Sequence, residues 1–575
     1  VTRPRVVIRP LSHDEQEEGR PRVGRLPESL SESQLDPWLV VALAVAAVLR
    51  LSGLGEKAFW LDEVFSLVHA SQPPTQLLSI LPGNQSPLFF WLAHAWQWFS
   101  ENEAWLRLPS ALLGLVLVGQ IYALAALVAG RGAGRAAASL AAVSPYLVHY
   151  SQEYRVYALL MVAGTLGTHL LVKCSDPDRS PGRWALRTMM IVAIAQVGFH
   201  PFALFLCAMQ IAFVLPALAR VPRSNLLAVV LMALLIVVGG ATLSRSWSSL
   251  APGMSQGPSG EPPTSSHFAD IIGDSVRMHT GGTALSVVVI GLLAIIGVWK
   301  PSPGLSRISV LALCLYVVPA ICFYALGPSH FFDARYVCQA LPHLLVLAGV
   351  GVERVATALR WIPASVRWMP GPGESGLILG LVCSWSTLCQ DHVRDEYDAR
   401  FLAESLSTRL RDGDRIFVQP FYLDNLVLFQ LDRTLSRGGR ICLSATSRSL
   451  PMYYWYYRKE REGYDPGAYR GPKVDLTPVT TLSEVTDAAL AGQRSWLVTQ
   501  YPESLGPRLE SRFVRLWTHS GVNAFGPFAW SPVSLFVSKT PSDSGVSSSH
   551  EDGGRQDIKV HTPRVELPDD PGVKR

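Results

Sequence analysis

Between residues 37 and 389 the chain is a succession of apolar stretches, mostly about 17 to 24 residues long, separated by short polar loops. This is the pattern of a polytopic α-helical membrane protein. The stretches fall near 37–51, 106–129, 136–150, 154–172, 184–200, 201–219, 225–244, 282–299, 308–327, 335–352 and 373–389, which predicts eleven spans. The first is short, and Arg50 near its end is expected to snorkel towards water. Residues 52–105 form a long excursion after that span. Within it, the aromatic-rich run 87–99 is too short for a crossing and suits a helix lying in the membrane interface. Treating 87–99 as interfacial places Arg131, Arg135, Lys173, Arg183, Arg223, Lys300, Arg307 and Arg354 on one side, as the positive-inside rule asks. The N-terminus is then cytoplasmic and the C-terminus outside. Residues 245–281, rich in Ser, Gly and Pro, read as a long outer loop.

Beyond 390 the periodicity changes. Runs such as Arg415–Gln419, 495–499 and 533–537 read as strands, with amphipathic helical stretches at 391–411 and 423–429 between or before them. The expected domains are a disordered cytoplasmic tail at 1–36, a transmembrane domain at 37–389, an extracytoplasmic α/β domain at 390–540 and a disordered tail at 541–575. No apolar core follows an early basic segment, so a cleavable signal peptide is not expected.

Composition supports this picture. Only 17% of the residues are charged and 49% are apolar, against about 25% charged in an ordinary soluble protein. Mean hydropathy is +0.23. The net charge of +5 lies in short loops, so it orients the chain and does not suggest nucleic acid. The eight cysteines mostly lie in or beside spans without metal-ligand spacing, and read as packing thiols.

Two acidic sites stand out at span ends on the same side of the membrane. The first is Trp60-Leu61-Asp62-Glu63 and the second is Gln152-Glu153-Tyr154-Arg155-Val156-Tyr157. Carboxylates beside a membrane are costly unless solvated, paired or bound. Asp62, Glu63 and Glu153 are therefore candidate catalytic acids or bases, and Asp62 with Glu153 could hold a divalent metal against phosphate oxygens. Arg155, Arg245 and Arg335 lie on the same side. Arg245 reads as helix-end snorkelling, whereas Arg335 opens its span two residues after Asp333 and is shaped for phosphate.

The order of these pieces resembles the membrane-embedded glycosyltransferases of the GT-C type, in the branch of the protein O-mannosyltransferases and the enzyme that adds aminoarabinose to lipid A. The matching pieces are Trp60-Leu61-Asp62-Glu63, Ser86-Pro87-Leu88, Leu106-Arg107-Leu108-Pro109-Ser110, Ser144-Pro145-Tyr146, Ser151 to Tyr157, Gly198-Phe199-His200-Pro201 and Arg335-Tyr336. Some relatives carry His-Pro-Pro where this chain has Gln85-Ser86-Pro87. The resemblance implies a polyprenyl-phosphate-linked sugar donor and a lipid, glycan or protein acceptor, with no nucleotide cofactor and metal dependence open. It makes Asp62 the leading catalytic or metal-proximal acid and Glu153 its second-loop partner. Arg335, Arg155 and Tyr336 become donor-phosphate residues, and His200, Tyr157, Gln152 and Trp60 candidates for substrate contact. The implied setting is a bacterial cytoplasmic membrane. A lipid or oligosaccharide flippase would instead show polar residues at mid-membrane and related halves, and an envelope scaffold would leave the paired acidic sites without a use.

Overall fold

The computed structural model describes residues 36–75, 77, 86–175, 183–218, 267–325, 334–359, 370–393, 399–419, 424–431, 442–445, 473–479, 482–485, 490, 494–499, 505–519 and 533–538. The expectations for residues 1–35, Arg223, the span at 225–244, Arg245 and the tail 541–575 lie outside these residues. Helix α1 (Pro37–Leu51) begins where Asp36 accepts from the Trp38 amide and Pro37 takes the first helical position. A polar turn leads to α2 (Leu61–Ala70), which carries Asp62 and Glu63 in its first turn. Next comes α3 (Pro87–Gln97), whose Phe90 and Ala93 pack against α2 while Trp91 and Leu92, with Trp98 and Phe99 just beyond, stay exposed. The exposed face of this helix is thus as apolar and aromatic as the face that packs on α2.

The bundle continues with α4 (Glu103–Ala129), capped by Asn102 and ended by Gly130 at φ +91°. The expected span at 136–150 is two helices, α5 (Arg131–Ala142) and α6 (Pro145–Ser151). Pro145 lacks the N–H that would continue α5, so the helix breaks before it. The last carbonyls of α5 therefore need other donors, and Arg50 supplies them. Its guanidinium is fully buried and donates to Ala142 O at 2.8 Å and Ala141 O at 3.0 Å. The expectation that Arg50 snorkels is overturned for this reason.

Helices α7 (Tyr157–Cys174), α8 (Arg183–Phe199) and α9 (Ala203–Leu218) follow. Part of the stretch expected as an outer loop is helical: α10 (His267–Thr280) turns through 91° into α11 (Ala284–Val298). Gly281 and Gly282, at φ +117° and +82°, make that turn without a Cβ clash. Then come α12 (Pro303–Ala325), a 3₁₀ turn at Ala334–Val337, α13 (Ala340–Leu359) and α14 (Pro372–Val393). Small residues let these helices approach closely, since a Cβ on Gly297 would collide with the Leu347 carbonyl and one on Gly351 with the Leu293 carbonyl. Among the described residues, four helices are long and apolar enough to cross a membrane, or five with the bent α10–α11 pair. Three further apolar helices are shorter.

The C-terminal region opens with α15 (Ala399–Ser407) and is built on a six-stranded mixed sheet. In chain order it comprises β1 (Arg415–Gln419), α16 (Asp424–Leu431), β2 (Cys442–Ala445), β3 (Lys473–Pro478), β4 (Ser495–Thr499), α17 (Pro507–Glu510), β5 (Phe513–His519) and β6 (Val533–Ser538). The strand order is β2-β3-β1-β4-β6-β5, parallel through β4 and antiparallel thereafter. Alternation along β1 sends Ile416 and Val418 to one face, against Leu402, Leu406 and Val427, and Phe417 to the other, against Val485 and Leu509. Helix α16 faces two ways. Val427 and Leu431 belong to the sheet's core, while Leu426 and Phe429 join Phe59 and Tyr154 beside α2, with the Phe59 and Phe429 rings 5.9 Å apart. The extramembrane sheet is thereby seated against the elements that carry both acidic motifs.

Candidate active site

The segment 152–155 docks onto the first turn of α2, so the structure brings the two acidic motifs together. It gives their carboxylates different surroundings. Asp62, about one-fifth exposed, accepts from the Arg335 guanidinium at 2.5 Å, and the Arg155 guanidinium lies 3.4 Å from the same oxygen. Arg155 also donates to the Asp62 carbonyl at 3.1 Å and to Ser66 Oγ at 2.9 Å. Burial works against the charge on Arg155, but the Asp62 carboxylate more than offsets it and holds the guanidinium protonated. Aromatic faces complete the cradle, with Arg335 lying 5.8 Å from both the Trp60 and Tyr336 ring centres and Arg155 5.7 Å from that of Tyr157.

Glu63, one residue on, is fully buried and engaged on both oxygens. Arg107 donates to it twice, Nε at 2.8 Å and an Nη at 2.6 Å, and the Tyr154 amide donates at 2.7 Å. The other Arg107 N–H groups go to the carbonyls of Leu54, Lys57 and Ala58. All five donors of this guanidinium are thus used. The Glu63–Arg107 pair ties α2, α4, the loop at 54–58 and segment 152–155 into one unit.

Glu153 is buried and pairs with His149, one helical turn back, at 2.9 Å, while its Oε2 has no hydrogen-bond partner. Gln152 donates to the carbonyls of Leu49 and Ser52, where it closes the end of α1. Tyr157 packs at the start of α7, its ring 6.3 Å from that of His200. His200 sits between α8 and α9, stacked on Phe202, and its Nδ1 accepts from the Phe202 amide at 3.2 Å. Burial, reinforced by the nearby charges of Arg155 and Arg335, lowers its pKa to about 3, so the ring is neutral. Tyr336 stacks on the same Phe202 at 4.6 Å.

Sequence reading alone assigned no role to Ser66, His69, Arg107 or His149. Asp62, Ser66 and His69 share one face of α2 through their i, i+4, i+7 spacing. The His69 ring bonds the Phe65 carbonyl through Nδ1 at 2.7 Å, which leaves Nε2 a buried acceptor with no partner, and burial lowers its pKa to about 4. His149 lies four residues before Glu153, a spacing visible in the sequence. As a metal-binding set the residues are incomplete: Asp62 Oδ2 already faces two guanidiniums, Glu153 faces His149, and among the described residues no group of three or more His, Cys, Asp or Glu side chains is placed to hold an ion.

What the arrangement can do follows from its charges. Two guanidiniums converge on one partly exposed carboxylate, flanked by aromatic rings. Such a set can hold a phosphate through the arginines and accept a proton at the carboxylate.

Residues 84–241 match the family described as dolichyl-phosphate-mannose-protein mannosyltransferase. The matched part contains Glu153, Arg155 and His200, while Asp62 and Arg335 lie outside it. No curated protein sequence matches the chain. In fold, the chain is similar to ArnT from Cupriavidus metallidurans bound to undecaprenyl phosphate, with a TM-score of 0.50 at 14% identity over 87% of this chain and 98% of that one. The apo form of the same protein gives 0.51 at 14% identity over the same shares. The chain has the GT-C fold, and over residues 84–241 its sequence is similar to the dolichyl-phosphate-mannose-protein mannosyltransferases.

Proposed function

We propose that the protein transfers one glycosyl group from a polyprenyl-phosphate-linked donor to a hydroxyl or amine of a lipid, glycan or protein at the outer face of a bacterial cytoplasmic membrane. The observation that carries this reading is the shared partner of Arg335 and Arg155: both guanidiniums face one Asp62 oxygen, on a helix that packs against the aromatic helix α3. The donor phosphate competes with Asp62 for the two arginines. Once they turn to the phosphate, the Asp62 carboxylate is released to act as base. The acceptor oxygen or nitrogen then attacks the anomeric carbon, its proton passes to Asp62, and the bond from that carbon to the phosphate oxygen breaks. The electron pair leaves with polyprenyl phosphate, whose added negative charge Arg335 and Arg155 stabilise. Glu153, with its unpartnered oxygen, is proposed to orient the acceptor.

The proposed topology has eleven spans, a cytoplasmic N-terminus and an extracytoplasmic C-terminal domain. Supporting it, Asp36 at the start of α1 pairs with Arg135 at 2.9 Å and accepts from Tyr122 at 2.7 Å, which gathers basic residues at the end of the bundle away from Asp62. Sugar transfer by purified protein, from polyprenyl-phosphate-linked sugars to a lipid extract, tests the function. No transfer from any such donor, with transfer from a nucleotide sugar instead, contradicts it.

A further inference from the structure

Arg335 does not hold its own position. The residue before it, Ala334, presents its carbonyl to two donors from separate helices, the Tyr146 hydroxyl of α6 at 3.3 Å and His279 Nε2 of α10 at 3.3 Å. A carbonyl only accepts, so the proton of His279 sits on Nε2. Its Nδ1 is then the acceptor for the Tyr316 hydroxyl of α12, at 2.6 Å. Both imidazole nitrogens are thereby used, and the ring is held edge-on to Tyr146 at 4.5 Å. His279, Tyr146 and Tyr316 are all buried. The Ala334 carbonyl and the Arg335 amide share one rigid peptide plane. Fixing that carbonyl fixes the axis from which the Arg335 side chain departs towards Asp62.

We propose that His279, held by Tyr316, is a positioning residue that aims Arg335 at the donor phosphate by hydrogen-bonding the Ala334 carbonyl. The inference rests on the reading of Arg335 as a phosphate ligand. His279 touches neither substrate nor Asp62, and its whole effect passes through the turn at Ala334–Val337. A bond across two helices serves this purpose better than one within the turn, because a 3₁₀ turn of four residues has few internal hydrogen bonds to resist displacement.

The test is a double-mutant cycle on the full chain in lipid nanodiscs, reading the dissociation constant for undecaprenyl phosphate from tryptophan fluorescence. His279→Leu removes both bonds and should weaken binding about 10- to 100-fold, the cost of a misplaced or unsupported ligand. His279→Gln restores a donor at the position of Nε2 and should stay within about threefold of wild type. Arg335→Ala should weaken binding at least as much as His279→Leu. In the Arg335→Ala background, His279→Leu should add nothing, because a residue acting only through Arg335 has nothing left to act on. A merely structural role would leave the two losses additive, and that result overturns the proposal, as does wild-type binding by His279→Leu beside a defective Arg335→Ala. Wild-type binding by Arg335→Ala overturns the phosphate role of Arg335 itself. If His279→Leu does not give monodisperse protein, Tyr316→Phe loosens the same ring by removing one hydroxyl, and its loss must likewise vanish in the Arg335→Ala background.

Discussion

Asp62 and Glu63 are neighbours with the same charge, and their substitution should produce opposite phenotypes. Replacing Glu63 with Gln keeps the shape and removes the charge. The structure then leaves the Arg107 guanidinium, 4% exposed, without the carboxylate that receives it at 2.8 and 2.6 Å. The Tyr154 amide loses a charged acceptor as well. Removing one partner of a buried, hydrogen-bonded pair costs about 3–5 kcal/mol, mostly because the other charge stays desolvated and uncompensated. The neutral amide can still accept one bond, which places Glu63→Gln towards the lower end and Glu63→Ala towards the upper. Thermal unfolding in detergent, followed by tryptophan fluorescence, reads the loss as a lowered midpoint and reduced yield of monodisperse protein. The double variant Glu63→Gln with Arg107→Met removes both charges and should be less destabilised than the sum of the two single changes by several kcal/mol. Transfer activity per folded molecule should remain close to wild type in Glu63→Gln. An unchanged midpoint with abolished transfer would refute this reasoning and return Glu63 to the catalytic set.

Three further outcomes follow from the same geometry. Arg335→Ala should lose about 2–5 kcal/mol of donor binding or transition-state stabilisation, the range for a desolvated charge pair. Arg335→Lys should recover only part of it, because a point charge replaces a planar fork. His200 should make the fold acid-sensitive: its folded pKa, about 3, lies below its ordinary value of 6.5, so the unfolded chain binds the extra proton between these values. Stability should therefore fall as pH drops from about 6.5 and be unaffected above it, and His200→Gln should flatten that slope in pH-dependent melting. Arg50→Met should lower the melting midpoint without a specific transfer defect, since Arg50 closes the end of α5 and does not touch the acidic cluster.

Much of this was legible in the sequence because period and punctuation are local signals. The Asp36-Pro37 start, the Gly130 break and the alternation along β1 announce their elements directly. Composition hid other features. Helix α5 is Ala- and Gly-rich and reads as one span with α6, because a single Pro inside an apolar run does not say on which side the chain will break. The bend between α10 and α11 was obscured by a polar, Gly-containing stretch that reads equally well as loop. At the site, the motifs marked Asp62, Glu153 and Arg335 as charges out of place, but partner choice is tertiary. Nothing local assigns Arg107 to Glu63 across 44 positions, or Arg335 to Asp62 across 273. For the same reason the pairing of His279 with Ala334 could not be read from spacing. The buried seam of Gln196, Gln339, Thr168, His343 and Gln210 is likewise a product of packing: each side chain finds its partner on a segment distant in sequence.

The central claim is that Asp62, freed from Arg335 and Arg155 by the donor phosphate, takes the acceptor's proton. The most direct measurement is single-turnover transfer from a polyprenyl-phosphate-linked sugar by purified Asp62→Asn, normalised to monodisperse protein and compared with wild type across pH. The substitution keeps the volume of a side chain that is about one-fifth exposed but leaves two poorly exposed guanidiniums without their carboxylate, so the melting midpoint should fall somewhat and transfer is read per folded molecule. Transfer should fall by roughly 10²–10⁴, the usual contribution of a positioned base, while undecaprenyl phosphate binding is retained or strengthened because its competitor for the two arginines has lost its charge. Near-wild-type transfer by well-folded Asp62→Asn would contradict the account.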